Sequence, residues 1–231
     1  MRKATRWVLV TGTDTGVGKT VFTAAFLAWL RERGVASIGF KPLASGGRED
    51  AEALWRAQQG DVPLDVVNPW HFPEPLSPLL AARRAGCRVT LDALTGHLRA
   101  ASRGMEVAVV EAAGGWLSPL MEGADAPEWC EELGARVVLV APDRLGVVGQ
   151  VRLVWSALPA RVRRQAQVVL MAPERPDEAT LLNRELLGEY VGAGRVHGFP
   201  RLRSGREGHR QRDEVRGICE AVAEGLGLGL G

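Results

Sequence analysis

The sequence predicts an α/β fold, a mainly parallel sheet flanked by helices on both faces. Three observations predict it. Short apolar runs alternate with amphipathic stretches along the chain; the first run leads through a glycine-rich turn straight into a helical pattern; and no internal repeat or linker interrupts the alternation. Units of this kind join parallel neighbours by right-handed crossovers and bury both faces of the sheet.

The elements follow in order. Residues 7–11 read as a buried strand. Residues 20–33 read as a helix, because Phe22, Ala25, Phe26, Trp29 and Leu30 recur at helical spacing and Gly34 supplies the stop. A second strand covers 36–41, and a helix over 50–59 ends at Gly60. The proline-rich segment 68–78 is an ordered loop leading into a short helix that ends near Gly86. Leu91, Leu94, Leu98 and Ala101 mark a helix stopped at Gly104, and residues 107–111 form the next strand. Residues 136–141 form another, followed by a helix carrying Val148, Val151, Trp155 and Leu158. A strand over 166–171, a helix over 177–190, a short strand over 195–199 and a helix carrying Val215, Ile218, Cys219 and Val222 complete the order.

The chain has 231 residues, 46% of them apolar, enough for one sizeable core and read as one domain over 1–231. The glycine–leucine tail, 225–231, is expected to fray. No apolar run is long enough to span a membrane, and the run at 7–10 is too short for a signal peptide. A net charge of +2 argues against a strongly electrostatic nucleic-acid binder, so neither nucleic acid nor membrane is an expected partner. The arginines between 201 and 216 alternate with Glu207, Asp213 and Glu214 and read as a solvated face. Cys87, Cys130 and Cys219 form no C-x-x-C pair, which favours a reduced, cytoplasmic setting without disulfides or zinc. The four histidines are scattered, and the seven tryptophans read as core packing. Lysine stands at only three of the 29 cationic positions, Lys3, Lys19 and Lys41.

Two of those lysines fall on chemistry. The first strand is followed by Gly12-Thr13-Asp14-Thr15-Gly16-Val17-Gly18-Lys19-Thr20 and then a helix, the context of a phosphate-binding P-loop. Glycines let backbone N–H groups turn toward phosphate oxygens, and the helix N-terminus adds positive partial charge. Lys19 reaches the β- and γ-phosphates in such a loop, and the Thr20 hydroxyl ligates Mg²⁺. Five residues, rather than the common four, separate Gly12 from Gly18. Glu111 ends a strand, at the edge where ligands sit in such sheets, and small residues follow it. Asp50 opens a helix and serves either as its N-cap or as a second metal ligand.

Together with Lys41-Pro42-Leu43-Ala44-Ser45-Gly46, Asn68-Pro69, Phe72, Pro75, Ser77-Pro78, Glu111-Ala112-Ala113-Gly114-Gly115-Trp116 and Leu145-Gly146, these motifs resemble the dethiobiotin synthetase family, in the family's order over about two-thirds of the chain. The resemblance implies a P-loop NTPase-like fold and an ATP- and Mg²⁺-dependent ligase. It carboxylates 7,8-diaminononanoate with carbon dioxide and closes a ureido ring, releasing ADP and phosphate. It implies Thr20, Asp50 and Glu111 on the metal and Lys19 and Lys41 as the catalytic cations. The implied nucleotide set is Gly12, Thr13, Asp14, Thr15, Gly16, Val17, Gly18, Lys19, Thr20, Val21, Asp50, Glu111, Ala112, Ala113 and Gly114, with Phe199, Pro200 and Arg201 near the base. The implied substrate set is Thr15, Lys41, Ser45 and Gly115. Leu145, Gly146 and Gly149 would meet the far carboxylate from the partner subunit of a homodimer.

Three positions depart from the family. Val148-Gly149-Gln150 stands for the usual Ile-Asn-His, which leaves the carboxylate to backbone or Gln150. Leu170-Met171-Ala172-Pro173 has no asparagine to read adenine, so base selection is relaxed or carried by backbone around Pro200. Leu79 stands where the family often has histidine, making the substrate wall more apolar. The competing reading is a partition- or septum-type nucleotide-switch ATPase acting through protein partners, but its extra signature lysine near the loop's start is absent. A related amidating enzyme would need a glutaminase domain, for which 231 residues leave no room.

Overall fold

The computed structural model of the chain describes residues 4–202 and 205–230, and the side chains of all of these except 205–210. Lys3, Gly231 and the Glu207 side chain lie outside that set. The order is β1 (Arg6–Gly12), α1 (Lys19–Glu32), β2 (Ser37–Phe40), β3 (Leu43–Ser45), α2 (Glu49–Ala57), α3 (Leu64–Val67), β4 (Trp70–Phe72), α4 (Pro78–Arg84) and α5 (Leu91–Ala101). Then come β5 (Val107–Gly115), α6 (Ala126–Leu133), β6 (Arg136–Pro142), α7 (Val147–Ala157), α8 (Ala160–Arg163), β7 (Gln167–Met171), α9 (Glu178–Val191), a 3₁₀ turn (Ala193–Arg195), β8 (Val196–Phe199) and α10 (Gly205–Gly225).

Six strands form one parallel sheet in the order β2-β5-β1-β6-β7-β8. Alternation along β1 shows how the two faces are filled. Trp7 and Leu9 enter a core shared with Leu94, Leu98 and Trp129, whereas Val8 and Val10 enter the opposite core with Phe22, Phe26, Leu30 and Val222. The chain leaves central β1 toward β2 on one side and later fills β6, β7 and β8 on the other. The carboxyl end of β1 is therefore the crevice where ligands bind in such sheets.

Several features depart from the expected elements: β5 runs past Glu111 to Gly115, and α3 and α8 are one-turn helices that no periodicity marks. The loop 68–78 contains β4, which pairs in parallel with β3 as a separate two-stranded sheet; both strands are too short for periodicity to reveal. Helix α6 was not anticipated from periodicity, although Asp125 and Glu128 form a capping box ahead of its apolar face. The described part of the tail, 225–230, is packed rather than frayed. Leu226 and Leu228 are 0% and 1% exposed within the core between α1 and α10, and Arg6 Nη1 donates to the Gly229 carbonyl at 3.1 Å. Alternation with glycine looks like low complexity, yet it leaves Leu226 and Leu228 free to plug apolar gaps. Trp116 and Trp129 are fully buried core residues as expected; Trp55, Trp70 and Trp155 are only half-buried against the cores.

Candidate active site

The loop between β1 and α1 is built on glycines for steric reasons. A Cβ at Gly12 would lie 2.8 Å from Val17 Cγ2 and 3.0 Å from the Asp14 carbonyl. Gly18 caps α1 at φ 97°, and a Cβ there would meet Met171 Cγ at 2.9 Å. Beyond the cap, the N–H groups of Lys19, Thr20 and Val21 have no acceptor within the helix, which suits them to an anion. Lys19 Nζ donates to the Asp14 carbonyl at 2.8 Å, so the ammonium is held over the loop. Burial, and then the neighbouring Lys41, push its pKa down to about 8.

The carboxylates arrive by strand register. Phe40 of β2 lies opposite Val110 of β5, so the next residues, Lys41 and Glu111, meet at the sheet's carboxyl edge. Lys41 Nζ lies 2.6 Å from Glu111 Oε1 and 3.0 Å from Asp50 Oδ2. The Thr20 hydroxyl donates to the same Glu111 oxygen at 2.8 Å. Burial opposes the charge on Lys41, but the two carboxylates outweigh it and raise its pKa. Burial likewise opposes the charge on Asp50, yet Lys41 and then the nearby Thr20 hydroxyl hold its carboxyl below the usual range. Glu111 is 0% exposed, and its Oε2 is buried without a hydrogen-bond partner. Two carboxylates and a hydroxyl beside a phosphate loop, with one orphaned oxygen, form a hard-oxygen donor set that fits Mg²⁺.

Beyond this cluster opens a cavity of about 650 Å³, lined by Thr15, Gly16, Gly18, Lys19, Thr20, Val21, Lys41, Ser45, Asp50, Ala113 and Gly114 among the expected residues. Ala44, Gly47, Ser118, Pro119 and the proline-rich 75–78 segment complete its wall, and Leu79, expected there, is not part of it. The Ser45 hydroxyl donates to the Leu76 carbonyl at 2.5 Å, which leaves only its lone pairs for a ligand N–H. His71 Nε2 donates to the Gly46 carbonyl at 2.7 Å and steadies the turn after β3.

A bracket behind the cavity carried no role in the sequence reading. Buried Asn68 donates to the Lys41 carbonyl at 2.7 Å and accepts from Arg48 Nε at 3.0 Å. Arg48 also donates to the Asn68 carbonyl at 2.9 Å and is the residue immediately before α2, whose first turn carries Asp50. One asparagine thus ties the backbone of Lys41 to the helix start that presents Asp50. A polar residue directly before Pro69 was the available signal. Asp50 itself is not the N-cap; that position is Arg48.

Other expected residues stand elsewhere. Val17 and Ala112 are buried in the apolar cores, and Gly115 packs against the Gly12 and Thr13 backbone while its N–H donates to Ser118 Oγ at 2.7 Å. Phe199, Pro200 and Arg201 line a second cavity of about 570 Å³ at the ends of β7 and β8. Leu145, Gly146 and Gly149 lie at the exposed start of α7 and line neither cavity of the single chain.

Fold and site together define a phosphate-binding α/β protein of the P-loop nucleotide-hydrolase class. Three solved structures share the fold at low identity. They are a ParA of pNOB8 bound to nonspecific DNA (TM-score 0.56, 12% identical, 98% of this chain and 100% of that one), the signal recognition particle receptor FtsY of Elizabethkingia anophelis (0.54, 13%, 95% and 66%) and a ParA family ATPase of Chlorobium tepidum (0.52, 11%, 96% and 91%). Residues 6–204 match the AAA domain family designated AAA_26.

The particular family follows from closer relatives. The chain is 37% identical over 192 residues to the ATP-dependent dethiobiotin synthetase BioD of Anaeromyxobacter sp. (strain Fw109-5), covering 81% of this chain and 86% of that protein. The corresponding protein of Ralstonia nicotianae is 39% identical over 201 residues (84% and 88%), and that of Xanthomonas oryzae pv. oryzae (strain PXO99A) 40% over 159 residues (65% and 71%). The chain belongs to the ATP-dependent dethiobiotin synthetase family. Among the described residues no helix is long and apolar enough to cross a membrane.

Proposed function

We infer that this protein joins carbon dioxide to 7,8-diaminononanoate and closes the ureido ring of dethiobiotin at the expense of ATP, as a single domain. The observation that carries the reading is the meeting of Lys41, Glu111, Asp50 and Thr20 at the mouth of the phosphate loop, in a member of this family. One substrate amine adds carbon dioxide and loses a proton, giving a carbamate. A carbamate oxygen attacks the γ-phosphorus of ATP, the bond to ADP breaks, and a mixed carbamic–phosphoric anhydride results. The second amine attacks the carbamoyl carbon and expels phosphate.

The residues act on charge and position rather than by covalent chemistry. The loop's N–H groups and Lys19 hold the phosphates. Thr20, Asp50 and Glu111 would hold Mg²⁺, which when bound neutralises charge on the phosphate oxygens. Lys41 balances the carbamate oxygen and the γ-phosphate as they meet; Thr15, and Ser45 through its lone pairs, take the amine. Phe199, Pro200 and Arg201 border the base.

The working unit in this reading is a homodimer in a cytoplasmic setting, with the substrate carboxylate bound at the Leu145–Gly146 turn, Gly149 or Gln150 of the partner. Its support is surface chemistry. Leu145 is 81% and Leu153 74% exposed, and α9, beside α7, also leaves Leu181, Leu182 and Tyr190 in water. The direct test incubates the protein with diaminononanoate, bicarbonate and MgATP. Dethiobiotin with stoichiometric phosphate is expected; folded protein that releases no substrate-stimulated phosphate overturns the reading. The switch-ATPase alternative predicts phosphate release indifferent to the diamine.

A further inference from the structure

The end of β7 carries no side chain able to read a base, because Ala172 stands there and its N–H already donates to the Phe199 carbonyl at 2.9 Å. The second cavity nevertheless has the form of a base site. It neighbours the phosphate loop through one residue: Met171, next to Ala172 of its lining, reaches to where a Gly18 Cβ would stand. Leu170, Phe199, Ala172, Pro173 and Pro200 give it apolar surfaces suited to a flat ring. Phe199 is fixed by an edge contact with Phe22 in the first turn of α1, at 5.8 Å between centroids.

One carboxylate at this cavity is held in place without charge compensation. The Asp143 N–H donates to the Met171 carbonyl at 2.9 Å, and Asp143 Oδ1 accepts from Asn183 Nδ2 at 2.8 Å. Asn183 is buried in α9 and pinned by a second bond to the Arg144 carbonyl at 3.2 Å. Among the described residues Asp143 has no ion pair. Arg184, on the same cavity, spends its Nε on the Val196 carbonyl at 3.1 Å. Partial burial raises the Asp143 pKa; the Asn183 bond opposes the shift and the nearby Asp177 carboxylate adds to it.

We propose that Asp143, oriented by Asn183, reads the nucleotide base by accepting a hydrogen bond from an exocyclic amino group. A carboxylate is acceptor-only at neutral pH, so it selects amino edges and repels carbonyl edges. The adenine or cytosine amino group satisfies it, and the flanking carbonyls of uracil do not. The missing strand-end asparagine then does not leave the base unread. This inference rests on nucleotide use by the site, not on ring closure.

The test is equilibrium binding by calorimetry, with Mg²⁺, of ATP and of purine riboside 5′-triphosphate, which lacks only the amino group. A bond to a charged acceptor predicts a wild-type Kd ratio of about tenfold or more. In Asp143→Ala the ratio is expected to collapse to within about twofold, and Asp143→Asn, which keeps shape and a neutral acceptor, should fall between. If Asp143→Ala does not fold, a ratio unchanged in Asp143→Asn overturns the proposal. A wild-type ratio below about threefold, or one that survives in Asp143→Ala, overturns it too, as does absence of nucleotide binding. Dethiobiotin formation is scored separately, so a protein that makes none but shows the expected ratios sinks the synthetase reading and leaves this one standing.

Discussion

Lys41 and Glu111 form a buried ion pair of 2.6 Å because their strands are parallel neighbours in register, and the same Glu111 leaves its other oxygen unpartnered. Lys41 is 4% and Glu111 0% exposed, so neither charge has water to fall back on. The ammonium stands among the oxygens proposed to hold Mg²⁺. Two cations of different kinds therefore share one set of ligands, and Mg²⁺ binding should turn Lys41 toward the phosphate.

Lys41→Gln separates these roles. Turnover should fall by orders of magnitude while nucleotide affinity stays within a few-fold, because the loop and Lys19 are untouched. The metal-free protein should lose about 3–5 kcal/mol, the usual cost of stranding one partner of a buried pair. Mg²⁺ should then restore more stability to the variant than it adds to the wild type. Denaturant melts with and without Mg²⁺, beside single-turnover kinetics, check both halves. Equal loss of turnover and nucleotide binding would show that Lys41 only supports the fold.

The Asn68 bracket makes a different prediction. Asn68→Ala removes bonds to the Lys41 carbonyl and to Arg48, at about 1–3 kcal/mol of stability. Turnover should drop with little change in the KM for ATP, since the P-loop does not depend on the bracket. Asn68→Asp still accepts from Arg48 but cannot donate to the Lys41 carbonyl. If it fails like Asn68→Ala, the Lys41 half is the one that positions the site; if it is active, the Arg48 half is.

The frame of this site was legible because each piece carried a local signal. The loop lay between a strand and a helix, Glu111 ended a β-rich run, and two lysines survived in a chain that otherwise uses arginine. An arginine fork cannot replace a compact ammonium in a phosphate cradle. What stayed hidden depended on long-range pairing. Nothing local shows that Asn68 reaches the Lys41 carbonyl, that β3 and β4 pair, or that Asp143 meets Asn183 forty positions on. Leu145, Gly146 and Gly149 were legible only through resemblance, and within one chain they touch neither cavity.

Acid should weaken the fold through His197. It is buried on β8, its Nε2 donates to Gln167 Oε1 at 2.9 Å, and burial followed by the nearby Arg184 lowers its pKa to about 4. The unfolded value is about 6.5, so the unfolded chain takes up a proton that the native one refuses. Stability from this residue is complete above pH about 6.5 and drains away as pH falls toward 4, on the order of 2–3 kcal/mol in all. The Asp50 carboxyl, held low, gives way only at more acid pH. Urea midpoints between pH 4 and 7 should slope for the wild type and flatten for His197→Gln; an unchanged slope would move the effect to another group.

The carboxyl-terminal tail offers the sharpest contrast between composition and structure. Its Gly-Leu alternation suggests a disposable end, but Leu226 and Leu228 fill the core between α1 and α10, and the chain turns back through bonds from Leu226 N–H to the Val222 carbonyl and from Leu228 N–H to the Ala223 carbonyl. Leu228→Ala should cost about 2–5 kcal/mol, as other buried leucine truncations do. Ending the chain after Gly225 removes both side chains and should consume much of the roughly 5–15 kcal/mol that holds a domain together. Ending it after Gly229 keeps both buried leucines and the Arg6 contact, removes only the part-buried Leu230 side chain, and should cost far less. Thermal melts of the two truncations decide the matter: equal stability would mean the tail merely rests on the surface of a core that is complete without it.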